Sequence, residues 1–98
     1  MNPFDLFKNM QTLRTQMEQM QGKLETLRAS GSSGGAMVEV VINGKMEVQS
    51  IKIEPEVVDP QDVKTLEVLI ASAFNAAVEN MQEQLKEQAA RVATGGAL

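Results

Sequence analysis

The sequence has no cysteine and no histidine, and among aromatic residues it has only phenylalanine. Without cysteine there can be no disulfide and no thiolate metal site. Without histidine the commonest general base and the commonest metal ligand are both missing. No carboxylate pair, nucleophile–base set or metal cluster stands out among the remaining residues. We therefore expect that the protein is not an enzyme and that it binds no small-molecule substrate, cofactor or metal.

Long apolar runs are also lacking. No run approaches the roughly 20 residues that span a bilayer, and the N-terminal MNPFDLFKNM lacks the basic-then-apolar pattern of a signal peptide. We expect no membrane partner and a cytoplasmic protein. The 98 residues fit one domain, residues 1–98. A domain of this size has a modest core, which pairing with a second copy would enlarge.

Apolar residues in the first third of the chain recur at alternating intervals of three and four. This heptad pattern predicts a helix over residues 1–29 with one narrow apolar stripe. Such a stripe is typical of helices that pair with each other, so we predict a homodimer interface there; packing within the same chain is the plainer alternative. The stripe consists of Met10, Leu13, Met17, Met20, Leu24 and Leu27.

Charge is distributed unevenly although the net charge is −4, because only the first segment leans positive. The heptad positions that flank the stripe hold bases and neutral residues but no acid, so two paired helices could not neutralise each other there. Duplex DNA carries about one phosphate charge per 1.7 Å of axis and could neutralise them. An ordinary solvated helix surface is the alternative explanation. The bases at these positions are Arg14, Lys23 and Arg28, and Lys8 lies earlier on the same predicted helix.

The middle of the chain predicts a linker followed by a small sheet. Residues 30–36 are rich in Gly and Ser but lack the spacing of a phosphate-binding loop, which predicts a flexible linker. Residues 37–55 alternate apolar and polar side chains around Asn43–Gly44, which predicts an antiparallel hairpin because both of these turn residues tolerate positive φ. The alternation changes phase at Gln49–Ser50, so we expect a bulge or a bend there that starts a third short strand, which Pro55 ends.

A second long helix is predicted over residues 59–93. Asp59 is expected as its N-cap, Pro60 as its first helical residue and Asp62 in its first turn. Its first half has an apolar face wide enough to cover a sheet, whereas the second half is mostly polar. Residues 94–98 are expected to form a loose tail.

The order of these segments, with INGK (residues 42–45), IKIEP (51–55) and DPQDVKTLEVLIASAFNAA (59–77), resembles the YbaB/EbfC family of bacterial nucleoid-associated proteins. The resemblance implies an α+β fold with the order α-β-β-β-α, in which two long helices flank a small antiparallel sheet. It further implies an intertwined homodimer that binds double-stranded DNA at the nucleoid, with a role in nucleoid organisation and gene regulation.

In that family the projecting terminal helices are the expected DNA contacts. The resemblance thus selects bases of this chain by position and charge, and not by a defined motif. A homodimeric protein–protein adaptor that uses the methionine-rich helix surface is the alternative function. The selected bases are Lys8, Arg14, Lys23, Arg28, Lys86 and Arg91.

Overall fold

The protein has a long helix at each end and three strands between them. The computed structural model describes residues 2–93, so the tail predicted at residues 94–98 lies outside the described part. A 3-10 turn at Pro55–Val57 precedes the second long helix. The predicted α-β-β-β-α order is confirmed. The elements are α1 (Pro3–Thr26), β1 (Ala29–Ser33), β2 (Val38–Ile42), β3 (Val48–Ile53) and α2 (Val63–Ala93).

The Gly/Ser-rich segment forms a strand, which corrects the prediction of a linker over residues 30–36. β1 pairs antiparallel with β2, and β2 pairs antiparallel with β3. The turn that joins β1 to β2 occupies residues 34–37, where Gly34, Gly35 and Ala36 have positive φ. The first helix correspondingly ends at Thr26, earlier than predicted. Small residues have weak strand propensity, but here they allow α2 to approach closely, and this tertiary contact outweighs propensity.

The hairpin between β2 and β3 lies where Asn43–Gly44 predicted it, but its turn is of a different type. The Asn43 backbone N–H donates to the Glu47 carbonyl at 3.0 Å, and the Met46 N–H donates to the Asn43 carbonyl at 3.0 Å. Met46, with φ of 64°, takes the left-handed conformation, whereas Asn43 and Gly44 do not. The loop therefore has three residues, a geometry that also matches strand twist.

A bulge occurs in β3 at the predicted phase change. Ile42 pairs with Val48 whereas Val41 pairs with Ser50, which leaves Gln49 as the extra residue. The strand continues through this bulge, so it does not divide into two strands. The third strand of the sheet is β1 instead.

The N-terminus of α2 corrects a second prediction. The helix begins at Val63, so Asp62 is its N-cap. Asp62 Oδ1 accepts from the Thr65 N–H at 3.3 Å, and its Oδ2 accepts from Thr65 Oγ1 at 2.6 Å. Asp59 closes the preceding turn by accepting from the Gln61 N–H at 2.9 Å. Both aspartates satisfy local N–H groups, and only the structure decides which of the two lies at the helix end.

The core lies between α2 and the first two strands. It consists of Val38, Val40 and Ile42 from β2 with Ala73, Ala77 and Met81 from α2. Polar side chains on α2 also bind outer carbonyls at the β1 edge: Asn80 Nδ2 donates to the Ser30 carbonyl at 2.6 Å and Gln84 Nε2 donates to the Arg28 carbonyl at 3.3 Å. Such coverage protects an edge strand from pairing with other chains.

The third strand is less well covered. Val48 and Ile51 pair with Ile42 and Val40, so they point to the same side of the sheet as the core. Both are nevertheless exposed. We call these two residues the β3 strip, an apolar surface beside α2.

Candidate nucleic-acid interface

The first helix extends from the body of the protein as an arm. Its 24 residues, of which none is buried, correspond to a rod of about 36 Å. The described chain measures 69 × 28 × 16 Å, so its shape is elongated. The arm presents its side chains to solvent on every side, which is a suitable geometry for a partner of extended shape.

The last turn of α1 is held on the hairpin tip. The Gly44 N–H donates to the Leu24 carbonyl at 2.9 Å, and Lys45 Nζ lies 3.2 Å from Glu25 Oε1. The final carbonyls of a helix have no N–H partner within the helix, and the Gly44 N–H donates to one of them. We call Leu24, Glu25, Gly44 and Lys45 the arm joint, since these contacts set where α1 points.

The predicted apolar stripe is mostly exposed in the single chain. Met10 is 63% exposed and Met20 is 66% exposed. Leu13 and Met17, which lie between them in the sequence, are each 58% exposed. Leu6, one heptad before Leu13, extends the stripe; the same seven-residue period indicated it, and sequence reasoning missed it.

The C-terminal end of the stripe behaves differently. Leu24 is half-buried within the arm joint. Leu27 lies beyond the helix as its C-cap and packs against the core of the same chain. The unpartnered stripe therefore ends near Met20, and the two last leucines help to attach the arm.

Three of the predicted DNA-contacting bases lie on α1 with exposed side chains. Lys8, Arg14 and Lys23 form no ion pair within residues 2–93. At about 100° per residue, Lys8 and Lys23 lie about 60° apart around the helix and about 22 Å apart along it, whereas Arg14 lies about 180° from Lys23. The bases therefore occupy two sides of the arm and do not form one row.

The fourth base, Arg28, is not on the helical surface. It follows the end of α1, and its Nη1 donates to the Glu25 carbonyl at 2.7 Å and to the Leu27 carbonyl at 2.9 Å. A guanidinium at this position satisfies helix-end carbonyls and interacts favourably with the helix dipole. Arg28 thus contributes to the attachment of the arm.

The two bases predicted on the last helix are exposed but have acidic neighbours. Lys86 and Arg91 lie about 140° apart around α2. An acidic residue recurs at every fourth position, twice before Lys86 and once between Lys86 and Arg91. This spacing places the carboxylates along one side of the helix. That side repels phosphate. This acidic row consists of Glu79, Glu83 and Glu87.

Residues 2–93 contain neither a candidate metal site nor a candidate membrane span. Within residues 2–93, acidic side chains do not gather in the groups of three that could hold a metal ion. Neither α1 nor the described length of α2 contains an apolar stretch that could cross a membrane.

Comparison with known proteins identifies the family. A sequence model of the YbaB/EbfC DNA-binding family matches residues 1–97. The chain belongs to this family. The resemblance drawn from INGK and the two other segments is therefore confirmed.

Relatives of similar length support the assignment. A nucleoid-associated protein of Clostridium kluyveri is 43% identical over 95 residues, which cover 97% of this chain and 82% of that protein. A nucleoid-associated protein of Paramagnetospirillum magneticum, amb4104, is 41% identical over 96 residues, which cover 91% of this chain and 89% of that protein. Both matches cover more than nine tenths of this chain and more than four fifths of the relative, so the similarity is not confined to one segment.

A solved structure confirms the fold. The crystal structure of the uncharacterised protein HP0035 from Helicobacter pylori superposes with a TM-score of 0.71, and the match covers 94% of this chain and 97% of that one. Sequence identity is 23%, so this likeness concerns the fold alone.

Proposed function

We propose that this protein is a nucleoid-associated protein of the bacterial cytoplasm that binds double-stranded DNA as a homodimer, mainly through phosphate contacts. The observation that carries the proposal is the match to a DNA-binding family over residues 1–97. The names of its relatives support a place at the nucleoid. We also propose a role in nucleoid organisation and gene regulation, as the resemblance to this family implies.

The homodimer is supported by two apolar surfaces that the single chain leaves exposed. These are the stripe on α1 and the β3 strip. Full burial of a Leu or Met side chain stabilises by about 1.5–3 kcal/mol, so covering the stripe is a strong drive to association. We propose that a second copy covers it through Met10, Leu13, Met17 and Met20, with Leu24 and Leu27 at the edge of the interface.

The phosphate contacts are proposed chiefly on the two α1 arms of the dimer. Lys8, Arg14 and Lys23 are exposed and have no acidic partner among residues 2–93. Symmetry would double their number, and phosphate neutralisation by such bases releases counterions. Arg28 is engaged with carbonyls, and Lys86 and Arg91 stand beside the acidic row, so we rank these three as secondary contacts.

A charge-reversal experiment tests the DNA contacts. In Lys8→Glu/Lys23→Glu, both bases on one side of the arm become acidic. We expect the affinity for a duplex of random sequence to fall at least about tenfold, and the slope of log K against log salt to decrease by about 0.9 for each lost contact. Fluorescence anisotropy at several salt concentrations measures both quantities.

The matched control is Lys52→Glu/Lys64→Glu, which changes net charge equally but alters exposed bases on β3 and at the start of α2. The control should retain most of the affinity. Equal losses in the two variants would show a general charge effect and would contradict a site on α1.

Sedimentation velocity tests the dimer separately. Met17→Glu places a charge in the stripe and should raise the dimer dissociation constant at least about tenfold, or about 1.4 kcal/mol. Gln11→Glu adds a charge on the opposite side of the same helix and should leave the dimer dissociation constant unaltered. A wild-type protein that stays monomeric at micromolar concentration would overturn the interface. Stoichiometric capture of a different protein, with no DNA bound, would support the adaptor hypothesis instead.

A further inference from the structure

Gly44 of the arm joint follows Asn43, and this Asn–Gly pair has a chemistry of its own. Of the five asparagines in the chain, Asn43 alone is followed by glycine. In an Asn–Gly pair, the backbone nitrogen of the glycine can attack the side-chain amide of the asparagine, because no side chain obstructs it. We propose that Asn43–Gly44 is a deamidation site that the docked α1 keeps closed, and that release of α1 from the hairpin opens it to spontaneous modification.

The reaction needs only water. The Gly44 nitrogen loses its proton to solvent and forms a bond to Cγ of Asn43. The bond from Cγ to Nδ2 breaks, and Nδ2 leaves as ammonia with a proton from solvent. A five-membered imide results. One water molecule then opens it at either carbonyl, leaving aspartate or isoaspartate at position 43, and nothing is oxidised or reduced.

The structure holds the electrophile in place. Asn43 is only 3% exposed. Its Oδ1 accepts from the Lys45 N–H at 2.9 Å and from the Glu47 N–H at 3.0 Å, and its Nδ2 donates to Glu47 Oε1 at 2.9 Å. Two N–H donors polarise the carbonyl and make Cγ more open to attack. The same three hydrogen bonds and the burial of Asn43 restrict its side chain, and attack further requires that the Gly44 nitrogen lose its proton.

The nucleophile is held by α1. The Gly44 N–H, whose proton must leave before attack, donates to the Leu24 carbonyl at 2.9 Å. Gly44 is buried, so solvent base does not reach it in this state. The ion pair between Lys45 and Glu25 holds the same joint from outside. The group that protects the site thus belongs to a helix distant in sequence, and the rate of deamidation becomes a measure of arm release.

Modification would alter the joint permanently. The donor from Nδ2 to Glu47 is lost, and a new carboxylate appears beside that of Glu47. Isoaspartate also adds one backbone atom to the tight turn, which shifts Gly44 relative to Leu24. The arm could not dock again in the same geometry. This inference does not rest on DNA binding or on the dimer.

Incubation of the full-length protein at mildly alkaline pH tests the proposal. Mass spectrometry of the peptide that spans residues 43–44 quantifies conversion, and an isoaspartate methyltransferase assay identifies the product. We expect conversion in the folded protein to be at least about tenfold slower than in the same protein unfolded in urea, since only opened molecules react. Asn9 and Asn75, each followed by a bulkier residue, are internal references.

Two variants separate arm release from general unfolding. Glu25→Lys breaks the ion pair, and Leu24→Gly loosens the last turn of α1. Both should deamidate faster than Glu18→Lys, a matched charge reversal on an exposed residue of the same helix. Hydrogen exchange at the buried Val40 amide must stay slow, which reports an intact sheet.

The proposal has clear opposing outcomes. It is overturned if the folded wild type converts as fast as the unfolded chain, or if neither joint variant exceeds Glu18→Lys. If the Val40 amide of Leu24→Gly exchanges fast, the sheet of that variant is no longer intact. The proposal is then judged by whether Glu25→Lys deamidates faster than Glu18→Lys.

Discussion

Gly31 on β1 lies directly against the backbone of α2 at Ala77. A β-carbon added to Gly31 would overlap the Ala77 nitrogen and the Ala73 carbonyl oxygen. The absence of a side chain at this one position therefore allows α2 to approach the sheet. The two α2 residues that face it, Ala73 and Ala77, also have small side chains and are buried.

Gly31→Ala should accordingly be severely destabilising. Excess volume in a core usually costs about 1–3 kcal/mol, and we expect the upper end or more because the obstructing atoms are backbone. Urea unfolding followed by circular dichroism measures the change. Gly22→Ala is the control: its β-carbon would meet nothing within 4 Å on the exposed arm, and it should stabilise by about 0.5–1 kcal/mol. A Gly31→Ala protein of wild-type stability would disprove the close contact.

Gly44→Ala should release the arm. The new β-carbon would lie 2.7 Å from the Leu24 carbonyl oxygen and 3.1 Å from Leu24 Cα, so the last turn of α1 must move. Because the chain has no cysteine, spin labels can be attached at Gln11→Cys and Glu39→Cys without further changes. We expect a broader distance distribution between these labels, measured with labelled protein diluted in unlabelled protein. The same labels in Gly22→Ala should give the wild-type distribution, and an unchanged distribution in Gly44→Ala would contradict the joint.

Asn80→Ala should weaken the cover on the edge of β1. It removes the donor to the Ser30 carbonyl, and the loss of one such hydrogen bond costs about 0.5–1.5 kcal/mol. The uncovered edge should also increase aggregation, detected by light scattering. Asn75→Ala, at an exposed site on the same helix, changes the same residue type and should be neutral or slightly stabilising. Equal effects at the two sites would argue against edge protection by Asn80.

Asp62→Ala should lower stability by about 1 kcal/mol, because it removes the N-cap of α2. Asp59→Ala should cost less, since Asp59 only closes the turn before the helix. Thermal unfolding of the two variants distinguishes these roles. A larger loss of stability in Asp59→Ala than in Asp62→Ala would instead support Asp59 as the N-cap, as the sequence predicted.

Much of the fold could be predicted from local patterns. The heptad in α1 indicated both the helix and its apolar stripe, and Asn43–Gly44 located the hairpin. The phase change at Gln49 indicated the bulge. Each of these signals depends on residues within a few positions of one another, which is why a single sequence contains them.

Other features depend on contacts between distant parts of the chain. β1 was missed because ASGSS has little strand propensity and is stabilised by α2. Arg28 was assigned to the arm surface, yet its side chain satisfies carbonyls at the end of α1. Lys8, Arg14 and Lys23 occupy two sides of the arm, because successive residues of a helix are rotated by about 100°.

Taken alone, the residue pattern of the chain predicts two long helices with a hairpin between them, an apolar stripe and no cysteine or histidine chemistry. Folding adds what this pattern does not contain: the Gly/Ser segment forms a strand, and Gly44 contacts Leu24 and does not supply a positive φ. Periodicity reports the burial of neighbouring residues, whereas the approach of two backbones depends on groups that meet only after folding.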